Sequence, residues 1–420
     1  MSMAATSTPA RAVPVAPRIL LLTYISPRQQ WGSAQRTRFL IDALKRHGRV
    51  EVFVVNFGPD ALPPGQELQT FDLDGTPVHE LHVKNRGLAG RPRFDIRSDY
   101  VTDCVKRHID LSAWDLIVCR YIRPALKLRL PANVPVLVDF DDVSYEPPWK
   151  SLTTLKMWVG VMLRLFNDRC IVRGTLKLPS RQHAHYFFCN EAERQVFPQL
   201  DSSLLPNLPA APARQGPPDF TPPVRPALMF IGLLDYMPNQ DAVDWFVRDI
   251  WPRVRAAVPD ARFLVVGKGS PETLARWSGV AGVEALGFVD SLADTYAQVT
   301  ASVVPMRSGG GTNIKALEAY LYGRPVVGTH HVRNGHGTLF RDGPDMLVAD
   351  DAETFAQHCI DLLKRPERAE TVARNGHDRI ASTLTRDHFD AVVDRAVRQV
   401  LQPPTRPGSA LRDTPVVQPE

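Results

Sequence analysis

Residues 301–321 pass from an apolar strand, Ala301 to Pro305, through Ser308-Gly309-Gly310-Gly311-Thr312 into a helix from Asn313 to Leu321. Strand, glycine turn and helix make half of a parallel β/α unit, and a chain that repeats the unit has few topologies open to it. Three consecutive glycines exceed what a tight turn requires. They let the backbone come close to a ligand, and the first N–H groups of the helix have no partner inside it, so the turn reads as a phosphate site. Thr312 also fits an N-cap, and the two roles can coexist. Lys315 adds a point charge in the first turn. Glu318, three residues on, shares its helix face, where a carboxylate can take ribose hydroxyls. Gly323-Arg-Pro-Val-Val-Gly328 is a second turn into a buried strand. Phosphate, ribose and Rossmann-type unit together imply a nucleoside-diphosphate ligand.

The same rhythm runs along the chain. Strands are predicted at Arg18–Tyr24, Glu51–Asn56, Asp115–Cys119, Val134–Phe140 and His185–Cys189, with helices at Ala34–His47 and Glu191–Phe197. It then stops: Pro206 to Pro226 holds eight prolines and little periodicity, the composition of a linker. Beyond it strands are predicted at Ala227–Ile231, Arg262–Val266, Ser302–Pro305 and Pro325–Val327. Helices are predicted at Asp241–Val258, Glu353–Leu363, Pro366–Ser382 and Asp387–Leu401. The expected division is a disordered extension at 1–16, an N-terminal domain at 17–205 joined by the helix at 385–401, a linker at 206–225, a C-terminal domain at 226–384 and a disordered tail at 402–420.

A 420-residue chain with 44% hydrophobic and 23% charged residues is globular and has room for two domains. Its net charge of +5 is modest and no basic block interleaves with aromatics, which argues against a nucleic-acid partner. Five scattered cysteines without a Cys-x-x-Cys pair read as buried thiols in a reducing compartment. Ile19-Leu-Leu-Leu22 is too short for a signal sequence, and no run of about 18 apolar residues exists. A cytoplasmic protein is the expectation. The helical segment 152–173 is apolar over most of its circumference, with polar residues in a stripe at Lys156, Gly160, Arg164 and Asp168. Such a helix is buried, or it faces a lipid surface at the inner side of the plasma membrane; both readings stand.

Asp139, Asp141 and Asp142 follow the strand that ends near Val138. They are expected at the C-terminal edge of a parallel sheet, where ligands of open α/β folds bind. A carboxylate there can orient an acceptor hydroxyl or take its proton, with Asp141 and Asp142 ahead of Asp139; the alternative is helix capping. Arg120, after the strand ending at Cys119, is expected to line the same edge. His183 and His185 lack a patterned third ligand, so no metal site is read.

Phe230-Ile-Gly232 with Pro238-Asn239, Phe263 to Gly267, Leu286 to Asp290, Val304-Pro305, Gly309 to Ala319, Gly323 to Val327 and Asp345 to Val348 follow one another in a fixed order. Together they resemble the nucleotide-sugar-binding domain of retaining GT-B glycosyltransferases of the group 1, family 4-like type. The first half resembles the family through Gly32, Glu191-Ala-Glu193 and Leu205-Pro-Asn207. The resemblance implies an α/β GT-B fold, two Rossmann-like domains facing across a cleft. It implies donor contacts at Gly232, Lys268, Gly309, Gly310, Gly311, Thr312, Lys315 and Glu318, acceptor or cleft contacts at Gly32, Asp139 and Arg120, and the loop Asn334 to Gly337 beside the donor sugar. It also implies a hexosyltransferase that needs no metal and no cofactor beyond its nucleotide-sugar donor. The acceptor would be a sugar, glycan or lipid-linked molecule in bacterial-type polysaccharide or glycolipid synthesis. Two departures are plain. Where many members carry the first of two loop glutamates stands Gly310, and where many carry a diphosphate-clamping Arg and Lys stand Leu233, Leu234 and Asn239. Lys315, Lys268 and Arg307 are the substitute cations. A non-catalytic partner protein of the same fold and a nucleotide-sugar epimerase are the alternatives.

Overall fold

The computed structural model describes residues 16–29, 32–58, 67–84, 99–128, 130–140, 158–159, 161–162, 166, 173–174, 183–209, 217–309 and 312–402. Two parallel sheets organise them. The first holds β1 (Arg18–Thr23), β2 (Arg49–Gly58), β3 (Leu68–Leu73), β4 (Thr76–Lys84), β5 (Leu116–Arg120), β6 (Val136–Asp139), β7 (Ala184–Phe188) and β8 (Ser202–Leu204). Their order is β3-β4-β2-β1-β5-β6-β7-β8. The second holds β9 (Ala227–Ile231), β10 (Arg262–Val266), β11 (Val283–Gly287), β12 (Ala301–Val304), β13 (Val326–Gly328) and β14 (Leu347–Val348), in the order β11-β10-β9-β12-β13-β14. Every pairing is parallel except the β3–β4 hairpin.

The central strands are apolar throughout because helices cover both faces. Residues of β1 alternate between two clusters: Leu20 and Leu22 join Phe53, Ile117 and Val138 on one face, and Ile19 and Leu21 join Leu40, Leu44 and Val118 on the other. In the second body Phe230, Phe246, Trp251, Phe263 and Val303 form a single cluster with Tyr320 and Phe355. The Arg386–Leu401 helix packs on the first sheet, with Phe389, Val393 and Val397 among the residues around Leu40 and Leu44. The chain therefore passes between the two bodies twice.

Strand order reverses between β1 and β5 in the first sheet and between β9 and β12 in the second. At such a switch point the flanking loops diverge and leave a crevice at the carboxyl ends of the strands. The glycine-rich loops predicted to bind a ligand follow β9, β10 and β12, at that edge.

The structure departs from the sequence expectations in local ways. The single helix predicted over Asp241–Val258 is two, Met237–Trp245 and Trp251–Ala257, joined by a π-turn at Phe246–Ile250. Pro252 has no N–H to continue the ladder, and the extra residue of the π-turn absorbs the break. The helix predicted from Asn313 starts at Ile314, so Asn313 rather than Thr312 holds the N-cap position, and it makes no side-chain cap. The β3–β4 hairpin was not expected; its turn is Asp74-Gly75, both at positive φ, as a two-residue hairpin loop requires. Of the segment 152–173, Trp158, Val159, Val161, Met162, Phe166 and Arg173 are described and are helical. The terminal segments 1–15 and 403–420 lie outside the described residues. Among the described residues no helix is long and apolar enough to cross a membrane.

The Ile314–Leu321 helix is clamped by the Pro366–Thr383 helix at one point. A Cβ added to Gly376 would lie 2.2 Å from Cε1 of Tyr320. That ring cannot retreat freely: its hydroxyl donates to the Asp345 carbonyl at 2.6 Å and its face lies 5.2 Å from Phe340. Overpacking of this kind costs about 1–3 kcal/mol, against at most about 1 kcal/mol gained from replacing a helical glycine. Gly376→Ala should lower the urea midpoint of unfolding, and Gly376→Val should lower it further.

Candidate functional site

Three loops at the carboxyl edge of the second sheet converge because glycine lets them. Gly267, at φ +128°, would place a Cβ 1.8 Å from the Gly232 carbonyl oxygen. No other residue fits there, and the loops after β9 and β10 touch backbone to backbone. Leu234 N–H donates to the Lys268 carbonyl at 2.8 Å and Gly267 N–H to that of Gly287 at 2.7 Å. Gly232 leaves room for a side chain rather than for backbone. A Cβ there would meet Asn239 Nδ2 at 2.8 Å and Lys315 Nζ at 3.0 Å.

Lys315 is thus the cation of the site. Its Nζ donates to Asn239 Oδ1 at 2.7 Å and lies 4.3 Å from the centre of the Phe230 ring. Asn239 donates its own Nδ2 to the Leu233 carbonyl at 2.8 Å, which turns Oδ1 toward the ammonium. The ammonium has a neutral oxygen and a ring face around it, and Glu318 acts on it only as a charge at a distance. Burial pushes the Lys315 ammonium down to about 7, with Glu318 opposing the shift. Burial likewise pushes the Glu318 carboxyl up to about 7, against a 3.5 Å hydrogen bond from the Tyr296 hydroxyl and the charge of Lys315. Tyr296 in turn stacks on Tyr322 at 4.5 Å. A proton therefore moves on or off this pair near neutrality.

Two polar atoms near the same loop have no partner. Ser308, 1% exposed, has a buried Oγ without a hydrogen bond. His336 closes the His330–Gly335 helix, and its ring interacts with the Asn313 backbone while its Nε2 is buried and unpartnered. Burial pushes its imidazole down to about 4, so the ring is neutral at physiological pH. Buried polar atoms are normally paired, so these two are exceptions beside the loop.

The expected donor residues are placed as follows. Gly232, Gly309, Thr312, Lys315 and Glu318 lie on the loops and helix after β9 and β12. Gly309 sits at φ +120°, a conformation that favours glycine. Thr312 Oγ1 accepts from Asn207 Nδ2 at 2.6 Å. Lys268 is exposed, and its charge acts on Asp235. Arg307 is already engaged: it pairs bidentately with Asp241 at 2.7 and 3.2 Å and lies over Trp245. Gly310 and Gly311 lie outside the described residues, as do Asp141 and Asp142. Gly32 begins the Gly32–Lys45 helix.

Asp139 and Arg120 do not line an open edge. Both are 0% exposed and paired with each other at 2.6 Å. Arg36, 2% exposed, grips the same carboxylate at 2.7 and 2.9 Å. Strand position led to the expectation of a free carboxylate; the guanidinium that neutralises it comes from the helix after β1, which the linear sequence does not place beside β6. Asn239 and Asn207 were quoted only as parts of motifs, and their hydrogen bonds give them roles at the site. Among the described residues no group of three His, Cys, Asp or Glu could hold a metal ion.

A family model for glycosyl transferases group 1 matches residues 225–365. Among curated proteins, an uncharacterized 44.6 kDa protein in the cps region of Klebsiella pneumoniae is 25% identical over 173 residues, which are 39% of this chain. The chain spans 42% of that relative's length. Among solved structures, sucrose-phosphate synthase from Thermosynechococcus elongatus aligns with TM-score 0.68 and 17% identity over 91% of this chain and 99% of that one. HepE of Anabaena, solved in complex with UDP and glucose, aligns with TM-score 0.60 and 14% identity over 90% and 99% of the two chains. The two-sheet architecture is the GT-B fold.

The Lys315–Glu318 pair gives the unfolding free energy a defined pH dependence. Between about 7 and the ordinary lysine value of 10.5 the unfolded chain binds a proton at Lys315 that the folded chain does not, so stability rises with pH. Between the ordinary glutamate value of 4.5 and about 7 the folded chain holds a proton on Glu318 that the unfolded chain has lost, so stability falls as pH rises. In urea titrations from pH 5 to 9, Lys315→Met should lose the alkaline rise and Glu318→Gln the acidic fall.

Proposed function

We propose, for a chain whose residues 225–365 form a group 1 glycosyltransferase domain within a GT-B fold, that it moves a hexose from a nucleoside-diphosphate sugar to an acceptor hydroxyl with retention at the anomeric carbon. The observation that carries the reading is Lys315, a half-buried ammonium at the strand-switch edge beside Gly232 and Asn239. An ammonium held near neutral pKa takes up a proton fully when a diphosphate arrives, because an adjacent anion favours its charged form.

In this reading the bond between the anomeric carbon and the diphosphate oxygen breaks through an oxocarbenium-like transition state. Negative charge grows on the leaving diphosphate. Lys315 and the unpaired N–H groups at the start of its helix stabilise that charge, with Lys268 at the rim. Gly232 and Gly309 to Gly311 let the backbone approach the donor, and the Glu318 carboxylate takes the ribose hydroxyls. The acceptor enters from the first sheet, where Asp141 and Asp142 orient its hydroxyl or accept its proton. Closure of the two bodies about 206–225 excludes water from the reacting centre. The cation's task falls to Lys315, so the reading calls for no metal and no cofactor beyond the donor.

The name of the Klebsiella relative, a protein in the cps region, supports a place in polysaccharide or glycolipid synthesis. HepE, solved with UDP and glucose, makes UDP the first nucleotide to test. Calorimetry should detect UDP binding to the wild-type chain. Loss of a charge-assisted contact costs about 1.5–3 kcal/mol, so Lys315→Ala should weaken UDP roughly ten- to hundredfold. A wild-type chain with no affinity for UDP, GDP or ADP would overturn the reading. Binding without transfer would favour a non-catalytic partner protein, and the anomeric configuration of any product, read by NMR, decides retention.

A specific observation also favours a lipid-side acceptor. Trp158, Val159, Met162 and Phe166, each helical in backbone, are 43–66% exposed. In sequence, Lys150, Arg169, Arg173 and Lys177 flank them. Exposed apolar side chains with cations close by in sequence suit an anionic membrane surface. The chain should co-sediment with phosphatidylglycerol vesicles, and Phe166→Ser with Met162→Ser should release it; equal sedimentation of the double variant would refute the contact.

A further inference from the structure

The loop that carries Thr312 is held from outside its own domain. Asn313 occupies the N-cap position of the Ile314–Leu321 helix yet makes no side-chain cap, so this end of the helix has no anchor of its own kind. The anchor is Asn207, 105 residues earlier in the chain, whose Nδ2 donates to Thr312 Oγ1 at 2.6 Å. Asn207 follows β8 and is 4% exposed.

The orientation of that amide is fixed by charge. A guanidinium has donors only, so it can face the oxygen of an amide and not its nitrogen. Arg36 Nη1 donates to Asn207 Oδ1 and to the Pro206 carbonyl, each at 3.1 Å. With Oδ1 committed to Arg36, Nδ2 is turned toward Thr312 Oγ1 and toward Cys189 Sγ at 3.4 Å. Arg36 itself cannot swing away, because its Nε and Nη2 grip Asp139 at 2.9 and 2.7 Å. Arg120 holds the other side of the arrangement: Nη1 meets Asp139 Oδ2 at 2.6 Å and Nε meets Thr37 Oγ1 at 3.3 Å. A continuous set of hydrogen bonds, buried except for the part-buried last one, therefore runs from the carboxyl end of β6 to the turn two residues before the Ile314–Leu321 helix.

We propose that Asn207, oriented by Arg36 and Asp139, is a positioning residue that sets the Thr312–Asn313 turn and through it the first turn of the helix bearing Lys315. The inference rests on the donor-binding reading of that helix for its consequence, and on the hydrogen bonds alone for its structural content. It gives the first body a direct hold on the loop of the second. It also gives buried Asp139 and Arg120 a task, that of orienting a group beyond their own sheet.

The test separates the two levels. Hydrogen exchange of the amides in 306–321 is measured in the ligand-free chain, with those of β9 and β10 as internal reference, and UDP affinity is measured in parallel. Thr312→Val keeps the shape and removes the acceptor. Asn207→Leu keeps the approximate volume and removes every polar partner that Thr312 Oγ1 could meet there, together with the Arg36 contact. Each should speed exchange in 306–321 by about three- to tenfold, the worth of one hydrogen bond, without changing β9 and β10. Thr312→Ser should behave as wild type. The double variant should be no faster than the faster of the two single ones, since both remove the same bond. UDP should bind three- to tenfold more weakly to Thr312→Val and normally to Thr312→Ser. Unchanged exchange in both single variants, or effects that simply add in the double one, would overturn the proposal. A wild-type chain that fails to bind UDP refutes the donor reading instead, while the exchange measurements still decide whether Asn207 holds the loop.

Discussion

The placement of one ammonium group is the constraint on which the proposed chemistry depends. Lys315 needs a first-turn position on a helix that begins at the carboxyl edge of the second sheet, and strand order supplies it by reversing between β9 and β12. It needs space, and Gly232 supplies that by lacking a Cβ. It needs hydration replaced by something that does not neutralise it, and Asn239 Oδ1 and the Phe230 ring do so. A carboxylate in the position of Asn239 would hold the lysine permanently charged and satisfied. A neutral amide leaves it short of a counter-ion, which is the electrostatic condition for capturing an anion.

The other cations show the contrast. Arg307 is closed off by Asp241, and Arg36 and Arg120 by Asp139. Buried charges carry a large desolvation cost unless paired, so a fold keeps few of them open. Arg324, also buried, is held instead by backbone carbonyls, so among these cations Lys315 alone has neither a carboxylate nor a set of carbonyls within hydrogen-bond distance.

Much of this was legible in the sequence. Alternating apolar runs and amphipathic stretches place the central strands to within a residue or two, since buried parallel strands leave little else to encode. The glycine loop, Lys315 and Glu318 could be read because strand, turn and helix are contiguous. What escaped depends on contacts between distant segments. Asp139 looks free at the end of an apolar strand until Arg36, 103 residues away, closes on it. Asn207 is a plain loop asparagine until the fold brings Thr312 to its Nδ2. The β3–β4 hairpin is different: Asp74-Gly75 between alternating runs is a local signal, and it was present to be read. The π-turn before Pro252 was also foreshadowed, because a proline inside a helical pattern must disturb the ladder somewhere.

His336 extends the argument from charge to hydrogen bonding. Its ring is neutral and anchored to the Asn313 backbone, and it presents a buried, unpartnered Nε2 near the turn that Lys315 follows. With the other nitrogen donating to a carbonyl, that Nε2 is an acceptor. An acceptor repels phosphate oxygens and welcomes a hydroxyl donor. An ammonium short of a counter-ion favours an anion, whereas the imidazole favours what an anion lacks. In the donor reading proposed above, two groups of opposite preference, one bonded to the Asn313 backbone and one two residues beyond it, suit a ligand that is anionic at one end and rich in hydroxyls at the other, the chemical description of a sugar joined to a diphosphate.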